Sequence, residues 1–227
     1  MDISPIAYFH SPYGTKFGIP KQSGIAASVE GTIVFEREYR SPDAVRGLDG
    51  FDYLWLIWGF SANAHKPSSL AVRPPRLGGN EKVGVFASRS PFRPNGLGLS
   101  SVALAGIDMN ASEGPVIKVL GADLMDGTPV YDIKPYITYT DSHEHARSGF
   151  VDSHQWTRLK VAIDESVRQE IINRKGIKAV GMITEVLAED PRPQYQHDPA
   201  RVYGMLFMGM DIKFTVSGNL LTVIGIS

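Results

Sequence analysis

Through the first two thirds of the chain, apolar residues fall into short runs or alternate with polar ones, a pattern that predicts β-strands and not helices. Residues 29–35 are rich in β-branched side chains, and Tyr53 to Phe60 is a continuous aromatic and aliphatic run. Val83 to Ala87, Leu99 to Ile107 and Val116 to Leu120 are shorter apolar segments bounded by Gly, Pro, Asn or Asp. Many short strands at close spacing, without amphipathic helices between them, predict a barrel or sandwich in place of an alternating βαβ sheet. A Gly-rich turn from strand to helix, which a Rossmann-type nucleotide site requires, is missing from the sequence.

After about residue 150 the period changes. Leu159, Ala162, Ile163, Val167, Ile171 and Ile172 recur at helical spacing up to Gly176, and Ile177, Val180, Ile183, Val186 and Leu187 repeat the pattern until Asp190-Pro191 stops it. Two short helices are expected there. Tyr203 to Phe207 and Ile212 to Val216 then alternate, and Ser217-Gly218-Asn219 turns the chain into Leu220 to Ile226 as a closing hairpin. The polar stretch Thr140 to Gln155 reads as a linker. The expected class is mainly β, with a non-Rossmann N-terminal β-barrel over residues 1–145 and a small α+β C-terminal domain over 146–227.

The chain has 227 residues, 43% hydrophobic and 21% charged, enough apolar material for a sizeable core. It contains no cysteine, which excludes disulfides, thiolate nucleophiles and cysteine-ligated zinc. The start, Met1-Asp2-Ile3-Ser4-Pro5, lacks a basic region followed by an apolar run, and Tyr53 to Ala62 is too short to span a bilayer. A cytoplasmic protein without a membrane partner is expected.

Charge is uneven. Between Asn63 and Asn95 the bases Lys66, Arg73, Arg76, Lys82, Arg89 and Arg93 face the single acid Glu81, so this segment carries +5 in a chain of net charge −1. Prolines and glycines crowd the same stretch, presenting guanidinium forks on stiff loops. This suits an anionic partner such as a nucleic-acid backbone, or else a solvated loop whose arginines pair with acids elsewhere.

Three other clusters carry chemistry. His143-Glu144-His145 with His154 has the residue types of a metal site, but a polar linker also collects histidines, and no metal is expected. Asp123, Asp126 and Asp132 surround a Gly-Thr-Pro turn with Lys134 close behind, either as ligand acceptors and a general base or as ordinary Asp turn chemistry. Asp190-Pro191-Arg192-Pro193-Gln194-Tyr195 is a stiff loop presenting a cation and an aromatic ring, suited to phosphate contact and base stacking or to helix termination.

These segments together resemble the TrmO (YaeB-type) family of tRNA methyltransferases. The resemblance rests on Arg73 to Asn80 with Gly84-Val85-Phe86-Ala87-Ser88-Arg89-Ser90-Pro91-Phe92-Arg93-Pro94-Asn95, on Asp123 to Tyr136, and on Asp190 to Tyr195. Ser11-Pro12-Tyr13, Phe17 to Gln22 and Ala44 to Leu48 fit the same family, so the match covers most of the chain. It implies a barrel enzyme that uses S-adenosylmethionine, a homodimer, and methylation of the N6 atom of N6-threonylcarbamoyladenosine in the anticodon loop of threonine tRNA. It also implies cofactor contacts at Pro20, Lys21, Gln22, Ser61, Ala62, Arg89, Leu99 and Asp123, Leu124, Met125 and Asp126. Asp126 or Asp132 would accept the proton of N6. Arg76, Arg93, Lys134, Arg192 and Tyr195 would meet the RNA, and the C-terminal domain would assist its binding. Left open beside this are a non-catalytic RNA-binding barrel and methylation of another RNA or a small molecule.

Overall fold

A computed structural model describes residues 2–63, 69–74, 77, 81–153, 157–193, 196 and 198–227. Six strands close into a barrel: β1 (Ala7–His10), β2 (Glu30–Phe35), β3 (Tyr53–Gly59), β6 (Leu97–Asp108), β7 (Val116–Leu120) and β8 (Thr128–Pro135). Their order around the barrel is β1-β2-β7-β6-β3-β8, and β8 pairs with β1 to remove the free edges. A two-stranded ribbon, β4 (Ala71–Val72) and β5 (Val83–Gly84), stands apart from it. Alternation sorts the side chains: Leu54, Leu56 and Trp58 point inward from β3, and Val102 and Ser100 from β6. Phe9, Ile33, Ile117, Leu124 and Val130 complete this core.

The second sheet has the order β10-β11-β12-β9, from β10 (Tyr203–Phe207), β11 (Met210–Ser217), β12 (Leu220–Ile226) and β9 (Lys160–Ile163). Helices α3 (Glu165–Lys175) and α4 (Ile177–Ala188) pack against it, following the short α1 (Thr138–Asp141) and α2 (Phe150–Ser153). Its core draws on Phe207, Phe214, Ile183 and Leu187, and also takes in Tyr13, Ala26 and Val29 from the N-terminal loop. The loop between β1 and β2 therefore packs into the core of the C-terminal sheet.

The sequence expectation of a mainly β barrel with a small α+β part holds, and four local readings change. Residues 160–163, expected to be helical, form β9 in parallel pairing with β12, so their apolar side chains serve a sheet face. Val83 to Ala87 is strand only at Val83–Gly84 and continues as a 3-10 turn. β1 and β8 were not expected as strands. Within 140–155, two short helical turns interrupt the predicted linker. Among the described residues no helix is long and apolar enough to cross a membrane.

Candidate active site

Strand register gathers one end of the barrel into a rim. The last residues of β1, β3 and β7, the first of β2, β6 and β8, and the turn 121–127 all lie at that end. Trp58 reaches it because its partner across the sheet is Gly98: a Cβ there would sit 2.3 Å from the indole. The indole Nε1–H donates to Ser100 Oγ at 3.0 Å, and the Ser100 hydroxyl donates to Asp123 Oδ1 at 2.6 Å. A buried polar chain thus runs from β3 through β6 to the acidic turn.

Asp123 keeps part of its surface open yet is packed round by protein. Burial pushes its pKa above the usual carboxylate range, against the hydroxyl of Ser100, main-chain N–H groups of Asp123 and Ser23, and the charge of Arg89. Arg89 donates to Gln22 Oε1, so the Pro20-Lys21-Gln22 loop and the basic segment meet beside this carboxylate. Leu99, next to inward-facing Ser100, points outward and is 55% exposed. Asp126 stands at the same rim, accepting from the Ser11 N–H at 3.1 Å, with His10 Nδ1 3.3 Å from its Oδ1. Gly127, at φ 74°, makes the left-handed turn that brings Asp126 back over β1.

Other residues singled out from the sequence fall elsewhere. Ser61 and Ala62 are exposed just beyond β3, where Phe60 N–H bonds to Gly96, and Lys16 bonds to Asn63 nearby. Leu124 is fully buried in the barrel core, so it can offer a ligand only main chain, and Pro20 is buried as well. Met125 turns its carbonyl to the Thr128 hydroxyl at 2.7 Å. Asp132 and Lys134 sit opposite Ile57 and Trp55 on the outer wall, 3.6 Å apart; at strand rise, Lys134 is about 20 Å from the rim end of β8.

Arg93 donates to the carbonyls of Ser88 at 2.7 Å and Val85 at 3.3 Å, which staples the basic loop. Arg192 is 10% exposed in its side chain and forms a two-pronged pair with Asp190 at 2.8 and 3.0 Å. His143 and His145 are exposed, whereas Arg76, Tyr195 and His154 lie outside the described residues. No cluster of three or more His, Asp or Glu among the described residues is placed to hold a metal ion. Sequence reading missed His10, Trp58 and Ser100. Only Ser100 left a signal, as a polar residue at inward parity within an apolar strand.

Comparison with known proteins accords with this geometry. Residues 8–142 match the tRNA-methyltransferase O N-terminal domain and residues 157–227 the TrmO C-terminal domain. The chain belongs to the TrmO family. Among TrmO relatives, the tRNA (adenine(37)-N6)-methyltransferase of Escherichia coli (strain K12) is 35% identical over 216 residues, covering 93% of this chain and 92% of that protein. The protein of the same name from Eikenella corrodens is 41% identical over 170 residues, 73% of this chain and 91% of its own. A Pseudomonas aeruginosa relative, 37% identical over 216 residues (93% of this chain, 91% of its own), has a name describing S-adenosylmethionine-dependent methyl transfer. The crystal structure of TrmO from Pseudomonas aeruginosa superposes with a TM-score of 0.81 at 31% identity, covering 100% of this chain and 98% of that one.

Proposed function

We propose that the protein is an S-adenosylmethionine-dependent methyltransferase acting on the N6 atom of N6-threonylcarbamoyladenosine at position 37 of threonine tRNA. The observation that supports this most is the rim itself, where a buried acceptor, Asp123, lies beside the Arg89–Gln22 pair and the exposed apolar Leu99. Those groups suit the ribose hydroxyls or ammonium, the carboxylate and the apolar parts of the cofactor. When bound, the cofactor supplies a methyl group activated by its sulfonium.

The residues around it position and deprotonate. Asp123 accepts hydrogen bonds from the cofactor and Arg89 meets its carboxylate, so much of the rate comes from holding the reactants in line. The attacking nitrogen is urea-like, its lone pair delocalised, and loses a proton as it reacts. Asp126 is the stronger candidate to take that proton, being exposed at the rim three residues from Asp123, while Asp132 is engaged with Lys134 on the wall. A cation for the threonyl carboxylate comes from the basic segment, where Arg93 shapes the loop; Lys134, paired with Asp132 on the wall, is too far from the rim to supply it.

Further parts of the reading are the division at about residue 145, a C-terminal unit that assists tRNA binding, a cytoplasmic location and a homodimer. Leu70, Phe86 and Phe92 of the basic segment are exposed at 66%, 75% and 47%, which suits a subunit contact beside the cofactor. The test is mass spectrometry of threonine tRNA nucleosides after incubation with S-adenosylmethionine. A gain of one methyl on threonylcarbamoyladenosine is expected. Unchanged nucleosides from a protein that binds the cofactor would move the substrate to another RNA or a small molecule.

A further inference from the structure

The loop between β1 and β2 carries Pro20, Lys21 and Gln22, and no strand or helix braces residues 14–29. Its shape is therefore set by what it is bonded to, and much of that is the C-terminal unit. At its start, the Pro12 carbonyl accepts from the Met208 N–H at 2.9 Å, and Tyr13 adds one antiparallel bridge to Phe207 on the edge of β10. Gly18 lies so close over β10 that a Cβ would sit 2.2 Å from Met205 Sδ, and Phe17 and Ile19 pack on the same core. At its end, Arg158, paired with Glu189 at 2.6 Å, donates to the Ile25 carbonyl at 2.8 Å.

Glu185 supplies a double anchor at that end. In the otherwise uncharged α4 only Lys178 and Glu185 carry charge, seven residues apart and so on one helix face. Glu185 Oε2 accepts from both the main-chain N–H and the hydroxyl of Ser28, at 2.9 Å each, and Lys178 Nζ stands 3.7 Å from Glu30 Oε1. Two charge-assisted bonds to one residue fix the place and the orientation of its backbone. Next to Ser28 the loop enters the acidic turn: the Gly121 N–H donates to the Val29 carbonyl at 2.9 Å, and the Gly24 N–H to the Gly121 carbonyl at 2.7 Å. Gln22, two residues before Gly24, accepts from Arg89.

We propose that Glu185 is a positioning residue for the cofactor: through Ser28 it fixes the loop that presents Pro20 to Gln22, which makes the C-terminal unit part of the S-adenosylmethionine site. This rests on the reading that the loop meets the cofactor. Glu185 itself touches neither cofactor nor substrate. It holds the loop in its binding shape before the ligand arrives, so without it binding has to order the loop as well. Once the cofactor is bound the reactants lie where they did, so the KM for cofactor rises while kcat holds. The bonds to Ser28 are only part-buried, so water replaces the carboxylate when it is removed.

The experiment is calorimetric titration of the full chain with S-adenosylmethionine, paired with rates of methyl transfer to threonine tRNA, for wild type, Glu185→Ala, Glu185→Gln, Ser28→Ala and the double variant Lys21→Ala/Gln22→Ala. Glu185→Ala should weaken cofactor binding about tenfold with kcat unchanged at saturating cofactor, and Ser28→Ala, which loses one of the two bonds, about threefold. Glu185→Gln keeps an acceptor oxygen and should recover most of the affinity. Ser28→Ala leaves the helix untouched and decides the matter should Glu185→Ala not fold. Wild-type affinity in Glu185→Ala and Ser28→Ala, whatever their melting temperatures, or a Glu185→Gln as weak as Glu185→Ala, would overturn the role of Glu185. Wild-type affinity in Lys21→Ala/Gln22→Ala would instead overturn the cofactor assignment of the loop beneath it.

Discussion

At the level of single residues, the cofactor contact proposed for Asp123 is set against stability. Its pKa rises on folding because burial disfavours the charge, so the folded chain holds this proton more tightly than the unfolded one. Its contribution to stability therefore falls as pH rises from the ordinary carboxylate value through the raised one. At neutral pH the ionised group is a standing cost, opposed by Ser100 and Arg89. Asp123→Asn keeps an acceptor for the Ser100 hydroxyl and removes the charge, so the apoprotein should melt at a higher temperature while cofactor binding weakens. Calorimetric melting at neutral and mildly acidic pH checks this: the gain should shrink as pH falls. The role of Asp123 was visible in the sequence only through its family motif, since an Asp-rich turn looks the same whether or not it is buried. Ser100 and Trp58, which bond in a chain to it, are brought there by strand pairing, and only the polar side chain of Ser100 at an inward position hints at it in the sequence.

Among the elements, those legible from the sequence are the ones whose pattern is set locally. β3 and β7 were read almost to the residue, because each is a compact apolar run ended by Gly, Pro or a polar residue. β8 was hidden because Pro129, Asp132, Lys134 and Pro135 dilute its alternation, and its pairing comes from closure of the barrel between β1 and β3. β9 was read as helix because four residues cannot separate a period of two from one of 3.6. The β3–β6 pair yields a prediction. Gly98→Ala places a methyl within van der Waals overlap of the Trp58 indole, and should cost about 2 kcal/mol in denaturant unfolding by overpacking. It should also weaken cofactor binding, through the Ser100 and Asp123 chain. The loop after α4 yields another. Since Arg192 is locked to Asp190, Asp190→Ala and Arg192→Ala should raise the KM for tRNA to the same extent, and the double variant no further. A larger effect of Arg192→Ala alone would mean that the guanidinium leaves Asp190 to contact RNA directly.

At the scale of the molecule, the basic segment looked like a polyanion surface by charge alone, and its folded form divides that task. Arg89 turns to Gln22 beside Asp123, and Arg93 is spent on the carbonyls of its own loop. Among the described residues, two large apolar side chains stand exposed beside Arg73 and Lys82: Phe86 is 75% exposed and Leu70 66%, and the Val85 N–H bonds to the Leu70 carbonyl. Large apolar side chains standing together in this way mark a surface that is covered in the working protein. A second copy is the expected cover. Phe86→Asp would bury a carboxylate at such a contact, so sedimentation velocity should show a dimer for the wild type and a monomer for the variant. Because Arg89 follows Phe86 by three residues, the monomer should also bind S-adenosylmethionine more weakly, with the loss reversed by raising protein concentration if any dimer still forms. A wild type that sediments as a monomer would remove the homodimer, and a variant that becomes monomeric at full cofactor affinity would separate assembly from the site.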